Sequence, residues 1–187
     1  MNRNLAIELE NMNFLDPNPK IDLWLAYKEV KPVSSVYEMS NSEEFKKALI
    51  DWCEEAKMYI EKHPGSPNFL VGKEEKNVKE LSSILFSEKE EDIIRKCELY
   101  GYPPETALAT VRNFHPEKIN YPEGFSIKSD IFEGKMPWWE YVRYVVRKGH
   151  ELEDSLVAKK WYETIKTDLP KTHLQFVKSM HELQQPA

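Results

Sequence analysis

Apolar residues recur at helical spacing from Phe45 through Leu49, Cys53 and Ala56 to Ile60, and this stripe constrains the chain more than any other feature. An apolar residue at every third or fourth position puts one face of a helix against a core. Ser40 and Glu43 stand ahead of the stripe at capping-box spacing, where hydroxyl and carboxylate satisfy the free N–H groups of a helix start. The helix is expected to run to Ile60 and to stop before His63-Pro64-Gly65.

Breakers divide the rest of the chain. Asn2–Met12 reads as a short helix, closed by Asp16-Pro17-Asn18-Pro19. Ile21–Val30 and Val33–Met39 read as two strands separated by Pro32, because both are rich in aliphatic and aromatic residues. Asn68–Lys73 reads as a third strand, short and buried. From Glu75 onward the pattern is helical. Val78, Leu81 and Leu85 mark one helix. Ser87 and Glu90 repeat the capping-box spacing before Ile93, Cys97 and Tyr100, and Ala107, Val111 and Phe114 follow the turn Gly101-Tyr102-Pro103-Pro104. Residues 115–136 form an irregular segment with one expected strand, Phe125–Phe132. Loops of this length serve as lids or partner-binding segments in some folds, and this one has aromatics enough to pack on itself. Pro137 opens a helix with Trp138, Val142 and Val145 on one face. Leu152, Leu156, Val157, Trp161 and Ile165 mark a second, and Leu174, Val177 and Leu183 a third after Asp168 and Pro170.

The expected fold class is therefore α+β and mainly helical, with a small N-terminal sheet under helical cover and a helical C-terminal half. A chain of 187 residues can bury a sizeable core. It reads as a single domain, with an α/β-type unit over 1–86 and a helical portion over 87–187 packed on it.

Several function classes fall away. The formal charge is −6, with cations interspersed among anions, so neither nucleic acid nor a membrane surface is an expected partner. No stretch reaches the ~18 apolar residues of a membrane span, and Met1–Leu5 lacks the basic-then-apolar pattern of a secretory leader. Cys53 and Cys97 fall on apolar helix faces and read as reduced, buried thiols, which suits a cytoplasmic location. There is no Gly-rich phosphate loop, Gly-x-Ser-x-Gly, His-Glu-x-x-His or Cys-x-x-Cys. No cofactor and no metal site is expected. His150 and Asp154 would share a helix face, a spacing at which an ordinary surface pair is commoner than a metal site.

Two segments remain as candidate sites. In Tyr100-Gly101-Tyr102-Pro103-Pro104-Glu105, the glycine permits a sharp turn and the prolines suit a helix start. Glu105, Arg112 and His115 would then offer an acid, a fixed cation and a titratable base on neighbouring turns, a set suited to acid–base catalysis. The plainer reading is a corner between two helices. The second segment holds Trp138 and Trp139, which point in different directions on a helix, with Arg143 and Arg147 one turn apart as a possible anion site. The plainer reading there is interhelix packing with solvated arginines paired to Glu140 or Glu151. The function expected from these features is a small cytoplasmic ligand- or protein-binding protein, with Tyr100, Gly101, Tyr102, Trp138, Trp139 and Arg143 at the binding site. The alternative is a cofactor-independent enzyme using Glu105, Arg112 and His115, and an oligomerisation role for the aromatic helices is a third option. The sequence leaves open whether the chain is an enzyme, and its oligomeric state.

Overall fold

A computed structural model describes residues 3–37, 43–64, 66–107, 109, 125–126, 136–142, 144, 146–147 and 149–183. The fold is α+β and mainly helical, and it divides into two compact units, residues 1–83 with 164–187 and residues 84–163. Among the described residues, no helix is long and apolar enough to cross a membrane.

The first unit holds an antiparallel sheet of order β1-β3-β2, with β1 at Val33–Tyr37, β2 at Tyr59–Lys62 and β3 at Asn68–Gly72. Leu70 in the central strand pairs with Ser35 on one side and Glu61 on the other. A Cβ at Gly72 would stand 2.7 Å from the Pro32 carbonyl oxygen, so this close approach needs glycine. Around the sheet unit lie α1 (Arg3–Asn11), α2 (Pro17–Tyr27), α3 (Glu43–Glu55) and α4 (Glu75–Ile84).

Two expected elements of this first unit are corrected. Ile21–Val30, read as a strand, belongs mostly to α2. Pro17 and Pro19 sit in its first turn, where no N–H is needed. The run that follows is buried nearly all round, including Ile21, Leu23, Trp24, Leu25 and Ala26, so it lacks the polar face that separates helix from strand by periodicity. The α3 helix also ends earlier than its apolar stripe. Lys57 adopts a positive φ of 53°, the Met58 N–H bonds the Cys53 carbonyl, and the Lys57 N–H bonds the Glu54 carbonyl. That is a Schellman cap, and Ile60 lies beyond it in β2.

Polar contacts secure the unit. The Trp52 indole donates to the Leu5 carbonyl at 3.2 Å. The Trp24 indole donates to Asp168 at 3.0 Å, and Lys28 reaches the same oxygen at 3.2 Å. The Glu10 carboxylate accepts the N–H groups of Lys171 and Thr172 at the start of the last helix (Pro170–Leu183). Lys20, buried in the same region, donates to the Glu10 carbonyl; burial lowers its pKa, and Glu10 and Asp16 oppose that shift.

The second unit contains α5 (Glu90–Leu99), a helical turn at 104–107, a two-residue pairing of β4 (Phe125–Ser126) with β5 (Val146–Arg147), α6 (Glu151–Asp154), and α7 (Leu156–Asp168) up to residue 163. The Ser87 hydroxyl bonds Asp92, not Glu90, and accepts the Lys89 N–H; Lys89 takes the N-cap position. The helix expected from Pro137 is replaced by a 3-10 turn at Trp139–Tyr141 and then β5. Val146, β-branched, suits the extended backbone of β5, and the chain turns again at Gly149. Of the expected 125–132 strand, only Phe125–Ser126 falls among the described residues.

Candidate functional site

The corner that follows β5 is set by one ion pair. The backbone N–H of Arg147 donates to the Asp154 carboxylate at 2.8 Å, and its Nη2 and Nε reach the same group at 2.6 and 3.1 Å. The Asp154 side chain is 1% exposed, so nearly all its hydrogen bonding must come from protein. The hydrogen bond to Asp154 raises the Arg147 pKa, and the charges of Glu153 and Glu105 add to it. The Tyr144 hydroxyl donates to the Asp154 carbonyl at 2.7 Å and accepts the Ala158 N–H at 3.2 Å. Burial pushes this phenol's pKa upward, which keeps its proton in place. Arg147, Asp154 and Tyr144 thus fix β5, α6 and α7 against one another.

An open groove of about 480 Å³ runs along this corner. Trp138 forms part of its wall. The indole N–H is occupied by the Ser155 hydroxyl at 3.2 Å, and that hydroxyl donates in turn to the Leu152 carbonyl at 2.9 Å. The ring face carries Lys159, whose Nζ lies 5.1 Å from the centroid. Leu152 and Leu156 line the same groove and are 61% and 53% exposed. Both were expected to face inward. They are the price of the α6–α7 corner, which buries Glu151 and Asp154 instead. His150 and Glu153 pair on the rim at 3.2 Å.

The other candidate residues separate into groups. Gly101 has φ 72°, as its turn requires. The Tyr102 N–H bonds the Cys97 carbonyl and the Gly101 N–H bonds that of Glu98, a second Schellman cap. Tyr100 caps α5, and the Tyr102 ring lies 5.8 Å from Tyr100, 5.3 Å from Tyr144 and 6.2 Å from Trp161. Tyr144 and Trp161 are buried, so this aromatic group packs the second unit. Glu105 is exposed on the helical turn at 104–107. Arg112, His115 and Arg143 lie outside the described residues, as does the Trp139 side chain. Arg147, read either as half of an anion site or as an arginine paired to Glu140 or Glu151, lies in β5 and pairs with Asp154 and Glu153. Asp154 faces Arg147, and His150 pairs with Glu153. Among the described residues, no group of three histidine, cysteine or carboxylate side chains is placed to hold a metal.

No protein-family model, curated protein or solved structure matches the chain. Sequence reasoning had found Trp138 but missed Leu152, Leu156 and Lys159. Their helical spacing signals a core face equally well, and only the position of the corner tells the two apart.

Proposed function

We propose that the chain is a binding protein that accepts apolar side chains of a partner protein in the groove beside Trp138. The observation that carries this is the alignment of Leu152 and Leu156 with Trp138 along one open groove. The indole N–H is already satisfied by Ser155, so a partner that covers the ring leaves no indole donor unpaired, and Lys159 already stacks on one ring face. Covering an exposed leucine is worth roughly 1.5–3 kcal/mol, and buried tryptophans are frequent centres of binding energy. The open form favours a protein segment over a small molecule, since small-ligand sites enclose roughly 70–90% of their ligand. Two buried free cysteines support a reducing compartment, and we place the protein in the cytoplasm on that ground.

Panning a random peptide library on the immobilised full chain tests the proposal, with soluble Trp138→Ala protein as competitor. Enriched peptides should carry bulky apolar residues and should not be displaced by the variant. Absence of enrichment, or equal displacement by variant and wild type, would contradict it.

A further inference from the structure

The first unit carries a second groove, of about 430 Å³, between α1 and α3. Its apolar lining comes from Met12, Phe14, Ala48 and Trp52, and its charged lining, among the described residues, is Glu8, Asp51 and Glu55. Phe14 is 49% exposed and is held edge-on to buried Phe45 at 6.2 Å. Trp52 is fixed by its bond to the Leu5 carbonyl. The apolar wall is therefore preformed. The three carboxylates are exposed, and none makes a hydrogen bond or ion pair among the described residues. Asp51 and Glu55 lie one turn apart on α3, and Glu8 stands on α1.

We infer that this groove docks a basic amphipathic segment of a partner protein. An apolar side chain of that segment covers Phe14 and Met12, and flanking lysines or arginines meet Glu8, Asp51 and Glu55. Charge complementarity selects this occupant. A second copy of the chain, with net charge −6, would be repelled, and an anionic lipid surface or nucleic acid would meet three carboxylates. A helix laid in a groove reads as apolar anchors one turn apart with charges beside them, and that pattern matches this lining.

The test titrates the full chain with an 18-residue amphipathic peptide of leucine and lysine, followed by heteronuclear NMR. Amide shifts should cluster at residues 8–14 and 48–55, and affinity should fall at least tenfold as salt rises from low to physiological strength. Combined Glu8→Gln, Asp51→Asn and Glu55→Gln substitution should weaken binding at least tenfold. Neutralising Glu74, Glu75 and Glu90 in a control variant should leave it unchanged. Equal loss in both variants, equal binding of a leucine–glutamate peptide, or self-association of the chain through this face would overturn the inference. Matching denaturation midpoints for the two variants exclude misfolding as the cause.

Discussion

The guanidinium of Arg147 and the carboxylate of Asp154 grip one another at 2.6–3.1 Å across the corner that shapes the Trp138 groove. Removing only the cation leaves a carboxylate whose side chain is 1% exposed with the backbone N–H of residue 147 as its remaining donor from that residue. Arg147→Ala should therefore cost about 3–5 kcal/mol, toward the lower end because the arginine itself is 20% exposed. Replacing both residues with leucine should cost less than Arg147→Ala alone. Urea denaturation of the two variants checks the order.

Glu10 caps a helix distant in sequence, through the Lys171 N–H at 2.7 Å and the Thr172 N–H at 3.3 Å. Capping side chains contribute about 0.5–2 kcal/mol, and a carboxylate also complements the positive end of the helix. Glu10→Ala should lose stability in that range. Glu10→Gln should lose less, because an acceptor remains. Amide hydrogen exchange at residues 171–174 should quicken in the same order.

Lys57 holds a left-handed conformation at φ 53°, which costs a side-chain-bearing residue roughly 1–2 kcal/mol. Glycine recovers this but loses roughly 0.5–1 kcal/mol through its freer unfolded chain. Lys57→Gly also removes a like charge beside Lys73, whose pKa is lowered by burial and then by Lys57. The expected result is a gain of about 0.5–1 kcal/mol, read from thermal and urea midpoints. Glu29 has the same conformation at φ 55° but attracts Lys73, so Glu29→Gly should gain less.

Burial pushes the Cys53 thiol from its ordinary 9.0 up to about 12. The folded state therefore prefers the protonated form. Its contribution is whole below about pH 9 and is lost as pH rises toward 12. Tyr144, also raised by burial, acts in the same direction above its ordinary 10.0. Stability should fall through this alkaline window, and Cys53→Ala should flatten the early part of the fall. A thiol reagent should react with Cys53 only at the rate of unfolding.

Helix starts and helix ends differed in how plainly the sequence announced them. Gly101 marked the end of α5 because glycine advertises a left-handed cap. Glu29 and Lys57 form the same cap without glycine, with the Val30 and Met58 N–H groups reaching back to Leu25 and Cys53. No glycine announces those ends, and the apolar stripe continues past the Lys57 cap to Ile60. The α2 helix was hidden for a different reason, since burial on nearly every side erases periodicity. At the groove, Trp138 stood out as one of two adjacent indoles. Leu152 and Leu156 did not, because their exposure depends on Asp154 turning inward to Arg147, a pairing that no local pattern signals.

The role of Trp138 is tested most directly by fluorine NMR of the full chain with fluorinated tryptophan, titrated with a peptide enriched by panning. Trp138→Phe assigns the signal. The expected result is a shift of the Trp138 resonance, while those of buried Trp24, Trp52 and Trp161 stay in place. A bound peptide that leaves the Trp138 signal unmoved would contradict the groove's role in binding.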